Sequence, residues 1–188
     1  MPRVLVPLAQ GCEELEAVTI IDLLRRAEID VVTVGLESGD TPAPVTASRG
    51  TVLIPDRTLD AVREENFDMI VLPGGLPGAD HLDRDPRLRA MLVRHAASGR
   101  YTAAICAAPK VLANAGLLDG RTATAYPGAL AVGDYPQVRF TDAPVAVDGT
   151  VVTGRGPGTA MDFALRLIGL LAGEERRQAV EAALVRAT

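Results

Sequence analysis

Short apolar runs alternate along the chain with longer stretches in which apolar residues recur every three or four positions. The runs predict strands, and the stretches predict helices. The predicted strands are Val4–Ala9, Asp30–Leu36, Met69–Leu72, Tyr101–Ile105, Thr122–Ala125, Val145–Val147 and Val151–Thr153. The predicted helices are Glu13–Ala27, Thr58–Glu65, Pro86–Ser98, Pro109–Ala115, Gly158–Leu171 and Glu174–Val185.

This alternation predicts an α/β fold, in which helices cover both faces of a mostly parallel sheet. Two hairpins are expected to interrupt the pattern, one within Pro42–Ile54 and one at the Asp148-Gly149 turn. The 188 residues contain no repeat, low-complexity segment or linker. One domain over residues 1–188 is therefore expected.

Composition narrows the classes of function. A net charge of −5, with Lys and Arg spread along the chain, argues against binding to nucleic acid or to a membrane surface. No apolar run approaches the roughly 18 residues of a membrane span, and the N-terminal run is too short for a signal peptide. We therefore expect a cytoplasmic protein, in which the two cysteines stay reduced.

Cys106 is the candidate nucleophile. It directly follows the predicted strand Tyr101–Ile105, and Pro109 fits an early position of the next helix. A thiol on such a turn lies above the first turn of the helix, whose dipole and free N–H groups lower the pKa of a cysteine. The local sequence fits a small buried hydrophobic residue equally well.

Glu16 is the candidate proton-transfer group. In a helix over Glu13–Ala27 it lies in the middle of the apolar face. Burial there would raise the pKa of the carboxyl and make it a proton donor to a neighbouring thiolate. The alternative, a solvated acid in the first helical turn, suits Glu13 and Glu14 better.

The segment Pro73–Ala79 follows another predicted strand and contains Gly74 and Gly75. Adjacent glycines let backbone N–H groups approach a ligand closely and serve as an oxyanion hole. The same glycines also suit a tight structural turn.

Several motifs extend this set along the whole chain. They are Gly11–Val18, Asp22 with Arg25–Ala27, Ser48-Arg49, Leu72–Gly75, Ala103–Ala107, Arg155–Thr159 and a last helix over 178–185. In this order they resemble the ThiJ/PfpI family, in the branch that contains the human Parkinson's-disease-associated deglycase/chaperone protein and its bacterial homologues.

The resemblance implies a flavodoxin-like fold, with a doubly wound, mostly parallel sheet between helices, and a homodimer. It implies that Cys106 is the nucleophile and that Glu16 donates a proton to it. It also implies that the backbone of Gly75 and Ala107 supplies oxyanion donors. The residues that match the family's pocket are Gly74, Arg49, Tyr126, Gly156, Pro157 and Gly158.

Tyr126 stands where many members of that family have a histidine. Tyrosine, with a pKa near 10, is a poor base at neutral pH, which argues against a Cys–His peptidase or amidase. His81 and His95 are expected on the surface. Cys12 is expected to be a small structural residue, with a second reactive thiol or a soft-metal ligand as alternatives. No nucleotide-binding motif is present, and neither a cofactor nor a metal is expected.

Two functions use this same site. In one, Cys106 and Glu16 act as a cofactor-independent glyoxalase or deglycase on methylglyoxal or its adducts, so that the partner is a small aldehyde or a glycated substrate. In the other, Cys106 is oxidised to a sulfinate, and the protein is a redox sensor or chaperone without significant turnover. Both remain open at the level of the sequence.

Overall fold

The computed structural model describes residues 1–186 and contains a central seven-stranded sheet. The strands are β1 (Arg3–Leu8), β2 (Asp30–Gly35), β3 (Val45–Thr46), β4 (Val52–Leu53), β5 (Arg57–Thr58), β6 (Met69–Leu72), β7 (Tyr101–Ile105), β8 (Thr122–Ala123), β9 (Arg139–Phe140), β10 (Val145–Asp148) and β11 (Val151–Gly154). The helices are α1 (Glu14–Arg26), α2 (Leu59–Val62), α3 (Gly78–Arg84), α4 (Pro86–Ala97), α5 (Pro109–Asn114), α6 (Ala160–Ala172) and α7 (Glu174–Ala183).

The strands of the sheet follow the order β10-β11-β7-β6-β1-β2-β5. Neighbouring strands are parallel except for β10 and β11, which form the expected hairpin. The chain therefore winds outward from β1 in both directions, which is the doubly wound, flavodoxin-like topology. The predicted fold class is confirmed.

Helices cover both faces of the sheet and bury two apolar cores. Phe163 of α6 packs with α1 and α7 on one face, and Met91 of α4 packs with α2, α3 and α5 on the other. The strand β6 reads Met-Ile-Val-Leu, and all of it is buried because both faces are covered. The carboxyl ends of β1, β6 and β7 meet at one edge, where ligands bind in such sheets.

Some elements differ from the prediction. The segment after Gly75 does not remain a turn, because α3 begins at Gly78 and carries His81, whose side chain is exposed as expected. Thr58 caps α2 through its side chain, but the helix is four residues long. The strand β8 lies outside the main sheet and pairs with β9, a strand that the apolar pattern did not predict.

His95 is buried, so the prediction of a surface position is wrong. Its Nε2 lies 2.9 Å from the carbonyl oxygen of Tyr101. That carbonyl gives the imidazole a hydrogen-bond partner, which allows a polar ring to occupy the inner face of α4.

Within residues 1–186, no helix has both the length and the apolar character needed to cross a bilayer.

Candidate active site

The carboxyl ends of three strands bring the predicted site together. Glu16 lies in the first turn of α1, which follows β1. Gly74 and Gly75 follow β6, and Cys106 follows β7. Glu16 is fully buried, and Cys106 is 8 % exposed, so little of the residue meets solvent.

Cys106 occupies the strand-to-helix turn that the sequence predicts. Its φ angle of 64° lies in the left-handed region, which costs a non-glycine residue ~1–2 kcal/mol. The Cys106 N–H donates to the carbonyl of Gly154 at 3.0 Å, and Pro109 is the first residue of α5. A sharp turn of this kind presents the side chain of a nucleophile at the edge of the sheet.

Gly74 lies between the thiol and the acid. Its N–H donates to Oε2 of Glu16 at 2.8 Å. A Cβ atom on Gly74 would lie 2.6 Å from Cβ of Cys106 and 2.7 Å from Oε2 of Glu16. Only a residue without a side chain therefore allows the two groups to meet.

The carboxyl of Glu16 has one partnered and one unpartnered oxygen. Oε1 is buried and makes no hydrogen bond of ordinary geometry to any residue in the described range 1–186. The side chain that interacts with this carboxyl is that of Cys106. An unpaired buried oxygen is costly, which favours a proton shared with the sulfur.

Burial raises the pKa of the Glu16 carboxyl to about 7, although the Gly74 N–H opposes the rise. Burial, followed by the negative charge of Glu16, raises the pKa of the Cys106 thiol to about 12. The N–H groups of Gly75 and Ala107 bind the sulfur and lower that pKa by less. The prediction of a lowered Cys106 pKa is therefore wrong beside an ionised Glu16, because a helix of six residues does not outweigh burial and a neighbouring charge.

The two groups titrate as a pair. Above about pH 7 the pair carries one negative charge on the carboxylate, and the thiol keeps its proton. Transfer of this proton from Sγ to Glu16 creates the thiolate without exchange with solvent. The arrangement can therefore supply a nucleophile and a protonated acid in one step.

Arg49 lies on the turn between β3 and β4. Its N–H donates to Oε1 of Glu14 at 2.9 Å, and Oγ of Ser48 donates to Oε2 of Glu14 at 3.0 Å. These bonds place the backbone of Arg49 beside the start of α1, and its side chain is exposed. Sequence reasoning treated Glu14 as a solvated acid and missed this role, because the partners lie 34 and 35 residues away.

The N–H groups of the β3–β4 turn determine the protonation of Glu14. Burial would raise the pKa of its carboxyl, but hydrogen bonds from its own N–H and from those of Arg49 and Thr51 outweigh burial and lower the pKa to about 2.

Tyr126 and the glycine-rich turn lie near the backbone of Cys106. The Tyr126 N–H donates to the carbonyl of Cys106 at 2.9 Å. Gly156 is buried, and Pro157 and Gly158 begin a single 3₁₀ turn before α6. The structure thus brings this part of the predicted pocket next to the nucleophile.

Cys12 lies beneath the Gly75–Gly78 segment and is fully buried. Its N–H donates to the carbonyl of Ala9 at 3.0 Å, and its carbonyl accepts from the N–H of Ser48 at 2.8 Å. Burial raises the pKa of its thiol to about 11. Cys12 therefore packs as a small apolar residue in the protonated form.

In the part of the chain that the structure describes, no group of three or more His, Cys, Asp and Glu side chains is arranged to hold a metal ion.

Known proteins of one family are similar to this chain over most of its length. The DJ-1/PfpI family model matches residues 2–170. Protein dj-1beta of Drosophila melanogaster is 41% identical over 183 residues, which cover 96% of this chain and 95% of that protein. The glutathione-independent glyoxalase DJR-1.2 of Caenorhabditis elegans is 33% identical over 169 residues, 89% of this chain and 87% of that protein.

Solved structures give the same assignment. Drosophila melanogaster DJ-1beta superposes with a TM-score of 0.91 at 38% identity, over 100% of this chain and 99% of that one. Oxidized Toxoplasma gondii DJ-1 superposes with a TM-score of 0.91 at 40% identity, over 100% of both chains. The fold, the family model and these relatives lead to one conclusion: the chain belongs to the DJ-1/PfpI family.

Proposed function

We propose that the protein is a cysteine-dependent stress-protection enzyme that converts methylglyoxal, or removes its adducts, without a cofactor. The observation that carries this proposal is the buried pair of Cys106 and Glu16, with the N–H groups of Gly75 and Ala107 at the sulfur. A relative named as a glutathione-independent glyoxalase supports it.

In the proposed reaction, Glu16 takes the proton of Cys106 while the sulfur adds to the aldehyde carbon. The carbonyl electron pair moves to oxygen, which the N–H groups of Gly75 and Ala107 stabilise until a proton from Glu16 gives the hemithioacetal. Glu16 then removes the proton from the former aldehyde carbon and returns it to the adjacent carbon, while the hydroxyl proton passes from the former aldehyde oxygen to the former ketone oxygen, which gives the lactate thioester. Water hydrolyses the thioester, so that methylglyoxal and water become lactate and the thiol is restored.

The test is lactate formation by the purified protein and by two cysteine variants. We expect turnover by the wild type and by Cys12→Ser, because Cys12 is buried and protonated. We expect none from Cys106→Ser, since its hydroxyl is a weaker nucleophile. Lactate formation by Cys106→Ser at the wild-type rate would reject the proposal.

A second function, oxidation of Cys106 to a sulfinate as a redox signal, is favoured by one feature. The sulfur is surrounded by the same N–H donors and by Glu16, all of which can bind sulfinate oxygens. A solved relative is described as oxidized. Peroxide treatment should then add two oxygen atoms at Cys106, as read by peptide mass, and Cys12 should stay unmodified.

We also propose a homodimer of single-domain chains spanning residues 1–188. Leu15, Val18, Val52 and Ile54 are exposed on α1 and the β3–β4 hairpin, with Ile54 73 % exposed. Val18 and Ile54 line a common groove of about 330 Å³. Exposed apolar side chains of this kind favour association, most often about a two-fold axis. The two free thiols fit a cytoplasmic location.

A further inference from the structure

Tyr126 is the one tyrosine of this chain that is more than half exposed in the described structure, at 52 %. Tyr101 and Tyr135 are partly buried against the two cores. The hydroxyl of Tyr135 donates to Asn114 at 2.7 Å, whereas no hydrogen bond within residues 1–186 involves the hydroxyl of Tyr126. A large aromatic ring is therefore left partly in solvent beside the nucleophile.

The backbone holds this ring in place. The Tyr126 N–H donates to the carbonyl of Cys106, so the residue is fixed to the nucleophile's own peptide unit. A Cβ atom on Gly156 would lie 3.2 Å from Cδ2 and 3.9 Å from Cε2 of the Tyr126 ring. The ring thus packs over the bare backbone of Gly156, and neither contact uses its hydroxyl.

Gly156 covers one side of the ring, and about half of the residue stays exposed while its own N–H is bonded to the Cys106 carbonyl. An aromatic surface in this place offers a substrate little hydrogen bonding but a substantial apolar contact. Aromatic groups favour stacked or edge-to-face contact with another ring, beyond the simple removal of apolar area from water. A methyl substituent gains little from such a surface.

We propose that the Tyr126 ring is the platform for the substituent of a 2-oxoaldehyde whose aldehyde carbon reacts with Cys106, and that the enzyme prefers aryl and bulky apolar 2-oxoaldehydes over methylglyoxal. This inference rests on the proposed function. The platform contacts the substituent alone, so it changes substrate preference and leaves the proton transfer between Glu16 and Cys106 untouched.

The experiment compares kcat/KM for phenylglyoxal and methylglyoxal in the wild type, Tyr126→Phe and Tyr126→Ala. Tyr135→Phe is the control for loss of a tyrosine hydroxyl elsewhere, and Cys106→Ser gives the background reaction of phenylglyoxal with arginine. In Tyr126→Ala, we expect the phenylglyoxal-to-methylglyoxal ratio to fall ~3- to 10-fold, the range of an aromatic pair. Tyr126→Phe and Tyr135→Phe should keep the wild-type ratio.

An unchanged ratio in Tyr126→Ala would overturn the proposal. If kcat/KM falls equally for both substrates, the ratio is unchanged and the role of Tyr126 is purely structural.

A second measurement does not need turnover: each aldehyde is tested for reversible protection of Cys106 against iodoacetamide. Phenylglyoxal should protect at lower concentration than methylglyoxal in the wild type but not in Tyr126→Ala. If the wild type produces no hydroxy acid yet shows this difference, the proposed turnover fails and the platform stands. If phenylglyoxal protects Cys106 equally well in the wild type and in Tyr126→Ala, the platform is rejected.

Discussion

The backbone N–H of Gly74 donates to Oε2 of Glu16 at 2.8 Å, while Oε1 of the same carboxyl has no partner of ordinary geometry within the described residues. One oxygen thus positions the acid, and the other is free to accept a proton. Because burial raises the pKa of Glu16 to about 7, the base form appears near neutral pH.

The pH dependence of turnover should follow Glu16. In the proposed reaction Glu16 accepts the thiol proton, so kcat/KM should rise with pH through about 7 and then level off. Glu16→Gln keeps an acceptor for Gly74 but not the base, and we expect its turnover to fall by at least ~100-fold. Removal of the charge should also lower the pKa of Cys106, as measured by thiolate absorbance. A variant with a higher Cys106 pKa and undiminished turnover would contradict this assignment.

Substitution of Glu16 by leucine should change stability in a pH-dependent way. The folded-state pKa is raised from 4.5 to about 7, so the folded protein favours the protonated acid, and stability is lost as pH rises through about 7. The rise corresponds to ~3 kcal/mol when Glu16 is fully ionised. Relative to wild type, the melting temperature of Glu16→Leu should therefore be higher at pH 8 than at pH 5. Glu16→Gln separates loss of charge from loss of the Gly74 bond. A difference that does not vary with pH would count against a buried ionised carboxylate.

Gly74→Ala should disrupt the site directly. The new methyl group would lie 2.6 Å from Cβ of Cys106 and 2.8 Å from the carbonyl oxygen of Ile105, so the backbone must shift. We expect a loss of ~1–3 kcal/mol in the free energy of unfolding and the loss of turnover. Gly133→Ala is the control, because a Cβ atom there meets no atom within 4 Å. Equal stability of the two variants in urea would show that residue 74 has room for a side chain.

His95 should make the protein less stable in acid. Burial and the positive charges of Arg100 and Arg94 lower its pKa, against the Tyr101 carbonyl and the charge of Asp68. The folded state therefore holds a neutral imidazole while the unfolded chain takes up a proton, so stability falls as pH drops below about 6.5.

Thermal melts between about pH 7 and about pH 5 test this role of His95, since that interval spans the unperturbed histidine pKa. His95→Gln keeps a donor for Tyr101 without a titrating ring, and its melting temperature should fall less than that of the wild type. The exposed His81 provides the control, because His81→Gln should follow the wild type. The same acid response in His95→Gln as in the wild type would exclude His95 as the cause.

The proposed dimer can be tested with two valines on different helices. Val18 on α1 is 46 % exposed and Val93 on α4 is 45 % exposed, but they lie on opposite faces of the sheet. We expect Val18→Asp to yield monomers in sedimentation at micromolar concentration, because a charge would be buried in the interface. Val93→Asp should remain a dimer. Sedimentation of the wild type only as the 19.7 kDa species would reject the dimer itself.

The sequence predicts the sheet and its helices well, because apolar periodicity records which faces are covered. It also locates Glu16, since an acid within an apolar helical face has few structural explanations. The burial of His95 was missed, because its partner is a carbonyl, and every residue has one. The direction of the Cys106 pKa was missed for a similar reason: burial and the charge of Glu16 depend on distances that no local motif records.

Because the backbone at Cys106 is left-handed, selection for stability and selection for activity should favour different residues at this position. A φ angle of 64° suits glycine, so a screen of random variants for thermal resistance alone should accept glycine at residue 106 more readily than its burial suggests. A screen for chemistry should accept no replacement, since the sulfur at that position is the reacting atom of either proposed function. Variants selected for heat resistance and variants selected for activity should therefore differ at position 106. Sequencing both sets would show whether the protein sacrifices stability to keep its thiol.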